Sequence, residues 1–184
     1  MAKVITFSRI FPKTHINAGG RTNFAEQIFN SLNIRYWLKL KYLDLDDLNS
    51  KTDFQNDDVW KFHHLLDRGI ENKKNHTIRN GNRFKKGDFF SPRVWSGKPY
   101  QSKQIILSKD IEIANVWDIR ILVQDFGKLG LQAVITINGQ DFQNIELLAK
   151  NDGLSLQDFL QWFKTEKGKT FVGQIICWND AVSY

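Results

Sequence analysis

The sequence predicts a mixed α+β domain built on a mostly antiparallel sheet or small barrel, with helices at its ends. Three observations predict it. The second half of the chain is dominated by alternating or continuous apolar runs of strand length, at 104–108, 111–124, 131–138 and 170–178. Other segments carry four-residue apolar spacing behind capping residues, as helices do. No internal repeat, linker or low-complexity tract divides the 184 residues, so residues 1–184 read as one well-buried domain.

Lys3–Phe7 (KVITF) is the expected first strand, and 11–21 (FPKTHINAGGR) a loop punctuated by Pro12 and Gly19–Gly20. A helix over about 23–33 follows. Asn23 and Glu26 have capping-box spacing, and Phe24, Ile28 and Leu32 share one face. Residues 34–50 pass from alternating Leu38 and Leu40 into an acidic stretch with Asp44, Asp46 and Asp47. Residues 54–66 read as a helix with Val59, Phe62, Leu65 and Leu66 as its apolar stripe. In 117–123, Trp117, Ile119, Ile121 and Val123 point one way, with Asp118 and Arg120 opposite. Phe126–Gly130 reads as a hairpin connection. Ile145, Leu148 and Ala149 suggest a short helix broken at Asn151-Asp152-Gly153. Ser155 and Asp158 open another, with Leu156, Phe159, Leu160 and Phe163 inward.

Composition narrows the function classes. No apolar run approaches the roughly 18 residues of a membrane helix, and the N-terminus lacks the apolar core of a signal peptide. Cys177, the single cysteine, lies in the apolar FVGQIICW and reads as a buried strand residue, which fits a reducing cytoplasm. The acidic stretch at 44–47 lacks the glycine and terminal glutamate of a calcium loop. His63 and His64, adjacent on a helix, diverge by about 100°, and His15 and His76 lie elsewhere. No metal and no cofactor is expected.

Charge points to a partner. Lys73–Lys103 holds nine basic residues and one acid, Asp88, a formal +8 in a chain of net +6. The remainder therefore sums to −2, and the basic character is local. Phe84, Phe89, Phe90, Trp95 and Tyr100 are interleaved with it, as on a surface for nucleic acid. Inside the window, Lys74-Asn75-His76-Thr77-Ile78-Arg79 sets an amine, a hydroxyl and a guanidinium close together. In an extended chain Thr77 and Arg79 share a face, and a bend near Asn75 is needed for Lys74 to meet Thr77. Threonine needs an adjacent base to act as a nucleophile, and lysine serves only with a lowered pKa. A structural threonine and a phosphate-holding lysine account for the same residues without catalysis.

The order strand, helix, KxxTIR and RFKKGD resembles the ASCH domains of the PUA-like superfamily, small β-barrels with helices, many of which bind RNA. It is similar to the bacterial ASCH amidohydrolases that remove the acetyl group from acetylated cytidine. The shared pieces are Ile5-Thr6-Phe7, Lys74–Arg79 and Phe84-Lys85-Lys86-Gly87-Asp88. The resemblance covers about residues 3–10, 59–126 and 145–178. It implies Lys74 as base, Thr77 as nucleophile and Asp152 as acid. Asp152 stands where the family has glutamate, Asn75 where it has a first threonine, and residues 15–58 form an N-terminal helical insertion foreign to the compact enzymes.

Three functions follow as expectations. The first is a nucleic-acid or nucleotide-binding module, with RNA favoured. Lys73, Arg79, Arg83, Lys85, Lys86, Arg93 and Lys103 would meet phosphates, and Trp95 or Tyr100 would stack on a base. The second is an amidohydrolase acting on an acylated or otherwise modified nucleoside through Lys74, Thr77 and Asp152. The third is an interaction protein that meets a protein partner through 15–58.

Overall fold

The computed structural model describes residues 2–32, 69–165 and 169–184. In chain order the first elements are β1 (Lys3–Phe7), α1 (Phe24–Ser31), β2 (His76–Asn80) and β3 (Phe89–Trp95). Next come β4 (Gln104–Ile106), β5 (Ile111–Glu112), β6 (Asn115–Asp125), β7 (Leu131–Ile137) and β8 (Gln140–Asp141). Two helices, α2 (Ile145–Asn151) and α3 (Leu156–Phe163), precede the last strand, β9 (Phe171–Cys177).

Strand β3 is the hub of a mixed sheet, with β1 parallel to it and β4 and β5 antiparallel. The second sheet is antiparallel throughout, in the order β2-β9-β6-β7-β8. The α+β class is observed. Among the described residues the strands make two sheets and no closed barrel, because β2 and β8 end the larger sheet with one strand neighbour each. The predicted strand at 111–124 is two strands. Ile113 exchanges hydrogen bonds with the 87–88 turn, whereas Ala114 N donates to Cys177 O. The chain changes sheets between those residues.

One cluster of buried apolar side chains runs through both sheets and the helices. Alternation along β6 and β7 turns Ile119, Ile121 and Ile135 inward, where α3 packs against both strands. The Ser155 hydroxyl caps α3 by accepting from Asp158 N at 3.1 Å, as predicted. Trp178 ties the two sheets together, its ring 6.2 Å from Phe7 and 5.5 Å from Phe90.

The helix expected at about 23–33 forms, and its capping box does not. Asn23 adopts a left-handed conformation (φ 56°) with no side-chain cap, and Glu26 pairs with Arg21 at 2.8 Å. Phe24, Ala25, Ile28 and Phe29 of α1 are buried. The first part of the predicted insertion is therefore core rather than appendage. Residues 33–58, the acidic stretch at 44–47, the helix predicted at 54–66 and His63–His64 lie outside the described residues.

Candidate functional site

The site begins where the chain enters β2, at the edge of the larger sheet. Lys74 N donates to Gln27 O of α1 (3.1 Å) and Asn75 N to Asn151 O at the end of α2 (2.8 Å). Residues 74 and 75 are thereby clipped between two helices. Asp152 is the C-cap of α2, and Gly153 follows in the left-handed region (φ 76°). Leu154 N then closes back on Ala149 O at 3.0 Å, the glycine-type helix ending that the Asn-Asp-Gly breaker suggested. A Cβ on Gly153 would lie 1.9 Å from Gln27 Oε1 and 3.2 Å from Lys74 Cβ, so only glycine lets the three segments meet.

This meeting joins two of the three residues that the resemblance put forward. Lys74 Nζ donates to Asp152 Oδ1 at 2.6 Å and also to the Asp152 carbonyl. A cation at the end of a helix is favoured by the partial negative charge of the terminal carbonyls as well. The Phe24 ring lies 4.1 Å from Nζ. The side chain of Asp152, one methylene shorter than glutamate, reaches because α2 ends beside Lys74.

Lys74 is 1% exposed and Asp152 4%. Burial pulls the Lys74 pKa down to about 8; Asp152 opposes the shift and Arg79 adds to it. Burial likewise pushes the Asp152 carboxyl above its ordinary range, against the pull of Lys74 and then Arg79. His76 completes the cluster. It is fully buried, its Nδ1 stands 3.7 Å from Asp152 Oδ1, and neither ring nitrogen reaches full hydrogen-bond geometry, the Leu148 backbone being its one weak polar contact among the described residues. Burial first, then the charge on Lys74, hold it well below the usual histidine range, so it is neutral. Tyr184 packs edge-on against it at 5.5 Å, and the Tyr184 hydroxyl accepts from Asn151 Nδ2 at 3.0 Å.

Thr77 does not join the pair. It points to the opposite face of β2 from His76 and is 4% exposed. The arrangement supplies an amine that exchanges its proton near neutral pH beside a carboxylate, the kind of perturbed pair found at functional sites. Three cavities of about 300, 380 and 350 Å³ lie elsewhere on the larger sheet and beside α2 and α3, and Lys74, Thr77 and Asp152 line none of them.

The predicted phosphate-binding cations separate into two groups. Arg79 is drawn inward. It donates to Thr6 O at 2.9 Å, its guanidinium carbon lies 5.2 Å from the Phe7 ring, and its Nε is buried without a partner. It is half-buried, which the alternation along β2 could not reveal because both faces of that strand are covered. Arg93 is half-buried and committed to Ser91 Oγ (3.3 Å) and Gln104 Oε1 (3.2 Å). Lys73, Arg83, Lys85, Lys86 and Lys103 are exposed. The window's one acid, Asp88, is taken by Lys3 at 2.5 Å and by Lys85 N at 2.9 Å, the Lys3 bond first among the causes that lower its pKa.

The turn between β3 and β4 is tightly organised. Ser96 N donates to Lys103 O (2.9 Å), Gly97 N to Ser102 Oγ (2.9 Å), and Ser102 Oγ to Lys98 O (2.9 Å). Arg9, just after β1, braces it through Ser96 O at 3.0 Å and Trp95 O at 3.3 Å. Gln101 N closes on Lys98 O at 3.1 Å around Pro99 and Tyr100, and Tyr100 has φ 63°. That is the third position of a type II turn, where glycine or asparagine is usual. A left-handed side-chain-bearing residue costs about 1–2 kcal/mol. Tyr100 is nevertheless 90% exposed, its ring 5.4 Å from that of half-buried Trp95.

Sequence reasoning missed His76, Phe24, Gln27 and Tyr184 as neighbours of the pair, and no local signal points to them. Among the described residues, no group of three or more His, Cys, Asp or Glu is placed to hold a metal. Among the same residues, no helix is long and apolar enough to cross a membrane. No protein-family model, curated protein or solved structure matches the chain.

Proposed function

We propose that the chain is an ASCH-type module of the PUA-like superfamily that binds RNA or a modified nucleotide. The observation that carries this reading is the disposition of charge in 73–103. Lys73, Arg83, Lys85 and Lys86 are exposed, while the only acid of the window is occupied by Lys3 from outside it. A positive window whose own acid is already paired attracts polyanions, and backbone phosphates supply affinity that falls with salt. Binding of an unstructured RNA at low salt, weakened by Lys85→Glu with Lys86→Glu, is the expected result. Absence of binding by the wild-type chain sinks the reading.

A second reading has its own support in the buried Lys74–Asp152 pair. An amine with a pKa of about 8 is available as a base at neutral pH, as hydrolysis of an amide on an acylated nucleoside requires. In that reaction a rearrangement at Asn75 first has to bring Thr77, which faces away from the pair, to Lys74. With the proton of the pair on Asp152, the neutral Lys74 amine takes the Thr77 hydroxyl proton, the oxygen attacks the acyl carbon, and the C–N bond breaks as the amine leaves with the Asp152 proton. Water then hydrolyses the ester. Incubation with acetylated cytidine and related nucleosides tests it. Release of the free amine by wild type and not by Thr77→Ala is expected, and equal product from both excludes it.

A further inference from the structure

We infer that the β3–β4 turn is a preformed stacking site for one unpaired base, which makes the chain select a single strand over a duplex. The inference rests on the RNA-binding reading above and deepens it. Among the described residues Tyr100 is the most exposed of the large apolar side chains, at 90%, and it occupies a backbone position that disfavours any side chain. Nothing in the packing of the fold requires tyrosine there. Among the described residues its ring meets one other aromatic ring, that of Trp95, at 5.4 Å and 51°, which leaves one face open. The ring is held by the turn rather than by a core. Four hydrogen bonds within 96–103 and the brace from Arg9 fix the backbone that carries it before any ligand arrives.

The chemistry around the ring identifies the occupant. Residues 89–109 contain Arg93, Lys98, Lys103 and Lys109 and no acid. An exposed aromatic face with the exposed Lys98 two residues away suits a base with its flanking phosphate. A paired base is stacked on both sides and offers no face to Tyr100, so a duplex can use the cations and not the ring. This site is separate from the Lys74–Asp152 pair, which lies in the interior at the other side of the window.

Anisotropy of a labelled, unstructured 12-nucleotide RNA, alone and as a duplex, tests the inference on the full chain. Wild type is expected to bind the single strand more tightly. Tyr100→Gly, which suits the backbone better, is expected to weaken single-strand binding at least about tenfold while leaving the duplex unchanged, because base–aromatic stacking is worth about that much. Tyr100→Phe, which keeps the ring, is expected to retain binding. Wild-type binding to both forms alike, or single-strand binding unchanged in Tyr100→Gly, overturns the inference and leaves the RNA reading standing. Failure of wild type to bind either form overturns both.

Discussion

Lys74 and Tyr100 belong to one basic window, and the fold holds them in opposite ways. Lys74 is withdrawn to 1% exposure and needs Asp152, 78 positions away, to carry its charge there. Tyr100 is 90% exposed and is positioned almost wholly by residues 96–103. A charge taken out of water depends on a distant partner and on the whole core around it. A ring displayed to water depends on its own turn. The window thus combines an interior polar pair, coupled to folding, with a surface element coupled to little else.

The largest test of that contrast removes the distant partner. Asp152→Ala leaves the Lys74 ammonium buried without a counter-charge and is expected to lower stability by about 3–5 kcal/mol in urea unfolding. Replacing both residues by apolar ones of similar size, Lys74→Met with Asp152→Leu, is expected to recover much of the loss. Surface changes such as Lys85→Gln are expected to stay within about 0.5 kcal/mol. A comparably small loss for Asp152→Ala would mean that the pair is solvated.

The second test is pH. The folded-state pKa of Lys74, about 8, lies below its ordinary 10.5. Below pH 8 both states hold the proton and the full cost of burying the charge is present. Between pH 8 and 10.5 the folded chain binds fewer protons than the unfolded one, so this group makes stability rise with pH. Above that window its contribution is constant. The rise is worth about 3 kcal/mol at about 1.4 kcal/mol per pKa unit. Denaturant midpoints of wild type, less those of Lys74→Met, are expected to climb across this range; a flat difference contradicts the shift.

The smallest effect belongs to the turn. Tyr100→Gly relieves the left-handed strain and adds some backbone freedom to the unfolded chain, for a net gain of about 0.5 kcal/mol. A slightly higher Tm is the expected reading. A clear loss of stability would show that the ring is part of the packing and not a displayed group.

The same contrast explains what could be read from the sequence. Strands β1, β6, β7 and β9 and helix α3 follow from apolar periodicity and a Ser155 cap, all local signals. The ending of α2 was legible in Asn151-Asp152-Gly153. Strand β3 was not, because Ser91, Pro92 and Arg93 interrupt its alternation although it is the hub of a sheet. The capping box at Asn23 failed because Arg21, two residues before the cap, claims Glu26. Arg79 was expected at the surface and is half-buried, since a strand's alternation tells which residues share a face but not what covers it. The pairing of Lys74 with Asp152 came from the family resemblance; the neutral, buried His76 beside them arises only in three dimensions.

The most direct measurement of the central claim is the salt dependence of RNA binding by the whole chain. For a single strand, the logarithm of the association constant falls with the logarithm of salt concentration by about 0.7 per phosphate neutralised. A slope steeper than about −2 is expected for wild type, matching three or more exposed cations, and it is expected to become shallower by about 1.4 in Lys85→Gln with Lys86→Gln. Binding that is absent at low salt, or a slope unchanged in that variant, contradicts the account.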